Sequence, residues 1–253
     1  MVVLRIIDVN DFNDKYMMYI GKGYNANCYK LDKDTVVKIF NNDYKKRYLL
    51  DKSKYMDKLA SLYTVNNDSI ISPLDLIISD SQIIGYTHKY INGKNIDKVC
   101  NNIFLKNSTK ISDLFDKNYQ ALLNDLYEAS NKGFSFTDIK ANDIIIDSNN
   151  NYHIVDLDNS IFTDEYSKKI IFSANARLIL KRIIESIFSE NIMFENKDIN
   201  LLYRNIDPIS LNSISNFIDA LSCECNSYIP SIGEVKRKVK VKKLNEIDYL
   251  KRV

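Results

Sequence analysis

Residues 138–158 are the most informative part of the chain and read Asp138-Ile-Lys-Ala-Asn-Asp143-Ile-Ile-Ile-Asp147, followed after a short gap by Ile154-Val-Asp156-Leu-Asp158. They place five carboxylates and one lysine within 21 positions. The apolar run 144–146 predicts a strand, 148–151 a turn, and 152–155 a second strand. Carboxylates held at the ends of adjacent strands are what a divalent cation and a phosphate-bearing substrate require.

Length and composition limit the classes of protein that the chain can form. With 253 residues, of which 45% are hydrophobic, it can bury a sizeable core as one large domain or two modest lobes. Its formal net charge of +2 is nearly neutral, so the global charge does not argue for nucleic acid or an acidic membrane as a partner. Local chemistry therefore has to indicate the function.

The four cysteines indicate a reducing compartment, because they are too few and too irregularly spaced for a disulfide framework in a chain of this length. Cys223 and Cys225 are close neighbours, but no second pair of metal ligands accompanies them, so we interpret them as ordinary helix residues. Residues 1–10 do not resemble a secretory signal, and no run of about 18 apolar residues is free of charges. We therefore expect a soluble, cytoplasmic protein.

The pattern of apolar residues changes near residue 94. Before it, β-rich runs dominate, with one helical stretch at about Tyr44 to Tyr63. The runs are Tyr16 to Ile20, Ala26 to Leu31, Thr35 to Phe40, Leu74 to Ile78 and Gln82 to Ile91. After it, helical periodicity recurs in 114–126, 174–188 and 211–221. The pattern predicts an α+β fold of two unequal lobes, in which a small sheet with one helix precedes a mainly helical part.

Two features of the first part are typical of phosphate binding. Gly21 and Gly23 lie between two strand-like runs, where the backbone of a strand-turn-strand would close over a phosphate, although a plain hairpin is the simpler explanation. Lys38 stands among apolar residues of a predicted strand, and a buried lysine needs an anionic partner. The alternative is an edge strand whose lysine points to solvent.

Six segments, in the right order and covering nearly the whole chain, resemble motifs of the protein kinase superfamily. In the first part, Gly21-x-Gly23-x-x-Ala26-x-Cys28 resembles the glycine-rich loop, Val36-Val-Lys38 the third-strand lysine, and 85–93 the strand and hinge that join the lobes. In the second part, 136–143 (Phe-Thr-Asp-Ile-Lys-Ala-Asn-Asp) resembles the catalytic loop, 156–158 (Asp-Leu-Asp) the metal-binding triplet, and 226–235 the opening of a late helix. The chain is thus similar to small Ser/Thr-type protein kinases with a shortened activation segment.

The resemblance implies a bilobal, protein kinase-like fold in which 1–253 form a single domain. Residues 1–90 would form the N-lobe, an antiparallel sheet with one helix. Residues 91–253 would form the mainly helical C-lobe, with a basic tail from about 236. The implied activity is ATP-dependent phosphotransfer to a protein hydroxyl, assisted by Mg²⁺ or Mn²⁺. The implied partners are ATP and a protein substrate that the sequence does not identify, whereas membrane and nucleic acid are not expected.

The resemblance also assigns roles residue by residue. Asp138 would accept the proton of the substrate hydroxyl or orient it, and Lys140 would neutralise charge on the transferred phosphoryl group. Asp156 and Asp143 would hold the metal, with Asn142 as an alternative ligand. The residues assigned to nucleotide binding are Gly21, Gly23, Ala26, Cys28, Lys38, Asp57 as the partner of Lys38 with Asp51 as its alternative, and the backbone near Lys89 and Ile91.

Departures from the family pattern bear on activity. Phe136 and Thr137 replace the usual His-Arg, which removes the arginine that pairs with a phosphorylated activation loop. Asp143 stands where an asparagine is usual and Asp158 replaces a glycine, so the metal site would carry more negative charge and be more fixed. The segment after Asp158 is too short for a full activation segment. A binding module without catalysis and a kinase for a small-molecule hydroxyl therefore stay open as alternatives.

The basic run Lys236-Arg-Lys-Val-Lys-Val-Lys-Lys243 has six cationic residues among eight. A run of this kind is one way to bind nucleic acid. A solvated cationic surface is commoner, and Val235, Val239 and Val241 would still be able to pack on the fold. We interpret the run as such a surface.

Overall fold

The computed structural model describes residues 5–8, 17–23, 25–41, 52–80, 82–188 and 192–243. The chain divides into two compact units, Met1–Asn92 and Gly93–Val253. The first contains a mostly antiparallel sheet with one described helix, and the second is mainly helical. The predicted α+β class, with an N-terminal sheet and a helical C-terminal part, is confirmed.

The strands of the first unit form one sheet. They are β1 (Arg5–Asp8), β2 (Met18–Lys22), β3 (Ala26–Lys30), β4 (Thr35–Phe40), β5 (Pro73–Ser79) and β6 (Gln82–Lys89), in the spatial order β1-β5-β6-β4-β3-β2. All neighbours are antiparallel except β1 and β5, which are parallel. The parallel strand β1 at this edge was not among the predicted strands, because four residues are too few to show a strand periodicity.

Helix α1 (Lys52–Thr64) confirms the second half of the helix predicted at about Tyr44 to Tyr63, whereas 44–51 lie outside the described residues. Leu59 and Leu62 are buried at the spacing of one helix face. Gly85 on β6 permits close pairing with β4, because a Cβ there would lie 2.1 Å from the carbonyl oxygen of Lys38. A side chain at this position would therefore force the two strands apart.

The second unit has seven helices among the described residues. They are α2 (Ile96–Asn101), α3 (Ile103–Ser108), α4 (Lys117–Asn131), α5 (Lys168–Phe188), α6 (Lys197–Asn205), α7 (Leu211–Glu224) and α8 (Ile232–Lys238). Six of them begin after a side chain that accepts a hydrogen bond from the first turn, and these caps are Asn95, Asn102, Asp116, Asn196, Ser210 and Ser231. Asparagine, serine and aspartate side chains thus fix where these helices start.

Short strands connect these helices. They are β7 (Gly93–Asn95), β8 (Phe134–Ser135), β9 (Ile144–Asp147), β10 (Tyr152–Ile154), β11 (Ile161–Phe162), β12 (Ile192–Phe194) and β13 (Val241–Lys243). The antiparallel pair β9 and β10 confirms the hairpin predicted from the acidic segment. Its turn is closed by Asp147, which accepts from the N–H groups of Asn149 and Asn151.

Helix α5 runs through the buried centre of the second unit. Ile179, Ile183 and Ile187 are fully buried on it. It begins at Lys168, six residues before the predicted start at Ala174, so the segment that follows Asp158 is only 159–167. No helix among the described residues is long and apolar enough to cross a membrane.

The tail predicted from about residue 236 belongs to the fold as far as Lys243. Residues 236–238 complete α8, and β13 pairs antiparallel with β12. Val235 and Val239 are buried, which explains why this cationic run stays on the unit. Residues 244–253 lie outside the described part of the chain.

Candidate functional site

The loop 136–143 connects β8 to β9 and is anchored at its start by a buried asparagine of α5. The Asn175 Oδ1 atom accepts from the N–H of Phe136 (2.9 Å), and its Nδ2 donates to the Phe134 carbonyl (2.9 Å) and the Ser130 hydroxyl (3.0 Å). Asn175 is 1% exposed. One side chain thus satisfies three buried polar groups around the start of the loop.

A second anchor holds the loop one residue after Asp138. The Arg182 Nε of α5 donates to the carbonyl of Ile139 (2.7 Å), and its Nη1 donates to the carboxylate of Glu185 (3.0 Å). Glu185 is 4% exposed and lies 3.5 Å from the ammonium of Lys181 as well. Two cations compensate the burial of this carboxylate. The backbone on both sides of Asp138 is therefore held by α5.

Asp138 and Lys140, the predicted base and phosphate cation, come together. The Lys140 ammonium lies 3.8 Å from an Asp138 carboxylate oxygen, and both side chains reach solvent. They line one cavity of about 480 Å³. This volume is within the usual range for a small-ligand site.

Asp143 closes a 3-10 turn, Ala141–Asp143, at the end of the loop. Its carboxylate accepts from the N–H of Lys140 (2.8 Å), and its own N–H donates to the Lys140 carbonyl (3.0 Å). The turn gives this aspartate a structural role that the sequence did not reveal. Its role as a metal ligand stays a prediction, as does that of the exposed Asn142.

Asp143 and Asp156 leave the β9–β10 ladder at the same end. Ile144 pairs with Ile154, and the N–H of Val155 donates to the carbonyl of Asp143 (2.9 Å), which extends the ladder by one residue. Carboxylate oxygens are donors that Mg²⁺ takes alongside substrate phosphates, so this backbone placement is compatible with the predicted metal site. Among the described residues, no group of three or more His, Cys, Asp or Glu side chains is arranged to hold a metal.

The chain turns sharply at Asp156, whose φ of 62° and ψ of 56° are left-handed. A residue in this conformation costs about 1–3 kcal/mol and needs support from its surroundings, and such residues cluster at functional sites. The turn buries Leu157 and Asp158 and leaves the Asp156 side chain exposed. The two residues that follow Asp156 in the triplet are thus enclosed by the fold.

The segment 159–167 is fastened to the start of the loop. The Thr137 hydroxyl donates to the carbonyl of Asn159. Strand β11 pairs with β8, and the N–H of Thr163 donates to the Gly133 carbonyl (3.0 Å). Thr137 therefore links the loop to the residues after Asp156, at the position where the family pattern has an arginine.

In the first unit, four of the residues predicted to bind nucleotide share one face of the sheet. Gly21 lies opposite Cys28, Cys28 opposite Lys38, and Lys38 opposite Tyr86. Directly opposed residues point to the same side, as does Ala26, two positions before Cys28. The strand register thus places four of the predicted residues on one surface.

The glycines of the predicted phosphate loop are not needed for the fold itself. A Cβ at Gly21 would meet no atom within 4 Å, and Gly133 is the only glycine of the described residues with a positive φ. The N–H of Gly23 donates to the carbonyl of Ala26 (2.8 Å), which closes the turn. The open space above Gly21 is what a closely approaching phosphate would require.

Lys38 is 6% exposed, and its ammonium lies 5.4 Å from the centre of the Tyr86 ring. A cation at this distance is attracted by the face of the ring. The predicted partner Asp57 lies on α1 with an exposed side chain, and its alternative Asp51 lies outside the described residues. The ion pair with Asp57 stays a prediction. Tyr86 is a neighbour that sequence reasoning missed.

The backbone near Lys89 and Ile91 was predicted to contact adenine. The N–H of Tyr90 donates to the carbonyl of Asp34 (2.6 Å), so adenine would have to displace Asp34 to use it. A ring nitrogen of His88 lies 3.0 Å from the Lys89 carbonyl oxygen. The predicted contact would therefore fall mainly on Ile91.

Sequence reasoning missed the residues that hold the loop. No pattern in the sequence pointed to Asn175. Arg182 and Glu185 were visible as charges that interrupt an otherwise apolar helical pattern, and such charges in a buried helix need partners. Comparisons with protein-family models and with curated proteins give no match for this chain.

The hydrogen bonds of Asp147 make the stability of the fold depend on pH. Partial burial raises its pKa, but hydrogen bonds from His153, Asn151 and Asn149 outweigh this effect and hold the pKa of Asp147 below its usual value. The resulting stabilisation is present above the pKa of the unfolded chain, about 3.9, and is lost as pH falls through the folded pKa. We expect Asp147→Asn to lower the free energy of unfolding at pH about 7 but hardly at pH about 2.

Urea unfolding of both proteins at several pH values measures this difference. Asp219→Asn, which removes an exposed carboxylate of α7, serves as the control and should change little. A difference between wild type and Asp147→Asn that stays constant with pH would contradict the assignment.

Proposed function

We propose that the chain is an ATP-dependent phosphotransferase of the protein kinase type, which transfers the γ-phosphate to a Ser or Thr hydroxyl of a protein. The observation that carries the proposal is the loop 136–143, which α5 holds on both sides of Asp138 while Lys140 lies 3.8 Å from the Asp138 carboxylate. Phosphoryl transfer depends mainly on positioning and charge, and a rigid loop that presents a base and a cation supplies both.

Each predicted site residue of the second unit has a role in this proposal. Asp138 accepts or orients the proton of the acceptor hydroxyl, and Lys140 balances negative charge on the phosphoryl group. Asp156 and Asp143 would hold Mg²⁺ or Mn²⁺ through carboxylate oxygens. The metal supplies neutralisation of the phosphate charges when it is bound. The left-handed backbone at Asp156 supports this role, because such conformations cluster at functional sites.

In the first unit, we assign the ATP phosphates to Lys38 and to the backbone around Gly21 and Gly23. The burial of Lys38 supports the assignment, because a buried ammonium binds an anion better than a solvated one does. The glycine at position 21 supports it too, because the fold leaves open space there. Ala26 and Cys28 lie on the same face of the sheet and would contact the nucleotide.

The fastening of 159–167 favours a site that is always assembled. Thr137 holds Asn159, and the β8–β11 pair holds the residues that follow. Phosphorylation of an activation loop acts by ordering a segment through a new ion pair with arginine. Here the segment is ordered without one, and Thr137 offers no cation.

A binding module without catalysis is the second candidate. The observation that favours it is the hydrogen bond from the Lys140 N–H to the Asp143 carboxylate, which already employs one oxygen of a predicted metal ligand. The short segment 159–167 also leaves a small-molecule hydroxyl as an alternative acceptor. The binding module would not transfer phosphate, whereas the two kinases would transfer it to different acceptors.

Incubation with radiolabelled ATP and Mg²⁺ separates them. We expect the purified protein to phosphorylate itself or a generic protein, and Lys38→Met to reduce both this transfer and the thermal stabilisation by ATP. Lys33→Met, at a turn where the side chain is 90% exposed, is the control and should behave as wild type. Stabilisation by ATP without transfer to protein would support the binding module or a small-molecule acceptor. If ATP gives neither stabilisation nor transfer, the proposal is overturned.

A further inference from the structure

The cavity beside Asp138 and Lys140 has a wall that the predicted roles do not use. Helices α2 and α8 form this wall, and the residues they contribute are Asp97, Asn101 and Lys236. Lys236 opens the basic run that we interpreted from the sequence as a solvated surface. The structure instead places its side chain in the same cavity as the candidate base.

Lys236 donates hydrogen bonds to two uncharged oxygens. Its ammonium lies 2.7 Å from the side-chain oxygen of Asn101 and 3.2 Å from the carbonyl of Cys100, at the end of α2. Within the described part of the chain, no carboxylate forms an ion pair with it. Asn101 also donates to Asp97 (2.8 Å), so the closest carboxylate on this wall interacts with Lys236 through an amide.

The surroundings of Lys236 disfavour its charge. Burial lowers the pKa of Lys236, and the nearby ammonium of Lys106 lowers it further, while Asp97 acts in the opposite direction. Cys100 does not compensate the charge, because burial raises the pKa of its thiol to about 12 and keeps it neutral at pH 7. A partly buried cation with uncharged partners gains from binding an anion.

The other charges of the cavity already have partners. Glu185 is compensated by Arg182 and Lys181, and Asp138 lies beside Lys140. Lys236 is therefore the cation of this wall that is best placed to receive a negative group from a ligand. The ligand that belongs beside a candidate base is the phosphate acceptor.

We propose that Lys236 recognises an anionic group of the acceptor, so that the protein phosphorylates Ser or Thr residues in segments that carry an acidic or phosphorylated side chain nearby. This inference rests on the proposed function. The shared chemistry of the two groups is a compact anion that accepts hydrogen bonds from an ammonium. Lys236 is then a specificity-determining residue, and Asp138 and Lys140 carry the reaction.

Peptide phosphorylation tests the preference. The substrates are Ser peptides that differ at one position near the serine, which holds Asp, phosphoserine, Ala or Lys. We expect wild type to use the Asp and phosphoserine peptides about tenfold faster than the Ala peptide, equivalent to about 1.4 kcal/mol. In Lys236→Gln, whose amide keeps a donor for the two oxygens, this ratio should fall towards one.

Lys240→Gln is the matched control, because it removes an exposed cation of the same basic run that does not line the cavity. It should keep the wild-type preference. Equal rates of wild type on all peptides, or an unchanged preference in Lys236→Gln, would overturn the inference. A merely structural role of Lys236 would lower stability in the variant without changing the ratio.

Binding of the same peptides tests the role of Lys236 even if the protein does not phosphorylate them. Calorimetry should show that wild type binds the phosphoserine peptide more tightly than the Ala peptide and that Lys236→Gln does not. Absence of phosphorylation together with this binding pattern would overturn the proposed function and retain the anion site. Free phosphoserine that binds as tightly as its peptide would show that the peptide segment adds nothing to binding, and it would overturn the assignment to a protein segment.

Discussion

The Asp138→Asn variant is expected to lose phosphoryl transfer by about 10²–10⁴-fold, the usual contribution of a general base. The amide has nearly the shape of the carboxylate, and the loop is held by Asn175 and Arg182, whose contacts with it do not involve the Asp138 side chain. Binding of ATP should therefore change little. The loss would appear in the rate of the chemical step.

Single-turnover transfer of labelled phosphate, together with the dissociation constant of ATP, measures both quantities. Asp164→Asn is the matched control, since Asp164 has an exposed carboxylate that pairs with Lys168 on the surface. It should retain the wild-type rate. If Asp138→Asn transfers phosphate as fast as wild type, Asp138 is not the base and the assignment of the loop is wrong.

Asn175→Leu is expected to lower the free energy of unfolding by about 3–5 kcal/mol. Leucine has a similar volume but leaves the Phe136 N–H, the Phe134 carbonyl and the Ser130 hydroxyl without this partner. Each buried group that loses its hydrogen bond costs about 1–3 kcal/mol. The variant should also lose activity beyond its loss of stability, because the start of the loop is released.

Urea unfolding of wild type and variant gives the difference in stability, and transfer assays well below the unfolding midpoint give the activity of the folded fraction. Asn124→Leu, at an exposed position of α4, is the control and should change stability by no more than about 0.5 kcal/mol. A loss below about 1 kcal/mol in Asn175→Leu would show that the three hydrogen bonds do not hold the loop.

Local patterns in the sequence were sufficient for much of the fold. The β9–β10 hairpin was predictable because two apolar runs flank a turn of polar residues. The limits of β4 were predicted without error from its apolar residues. The start of α5 was missed because its opening residues, Lys-Lys-Ile-Ile-Phe-Ser at 168–173, hold three consecutive apolar residues that show no helical period. Strand β1 was missed because its four residues depend on pairing with β5.

The candidate site was predictable only where its residues are close in sequence. Asp138 and Lys140 are two positions apart, and a shared loop brings them together. Asn175 and Arg182 bond to backbone groups 39 and 43 residues away, and such contacts depend on how α5 packs. The left-handed turn at Asp156 also follows from tertiary structure, since aspartate has no strong preference for that conformation.

A crystal structure with a non-hydrolysable ATP analogue and Mn²⁺ tests the central claim most directly. Anomalous scattering locates the metal without reference to the protein. We predict Mn²⁺ bound to the phosphates and to a carboxylate oxygen of Asp156, with Asp143 as a second ligand, at the short distances of about 2.0–2.2 Å typical of small divalent cations. Nucleotide bound away from Lys38, Gly21 and Gly23 would contradict the phosphotransferase assignment. Metal that contacts neither Asp156 nor Asp143 would contradict it as well.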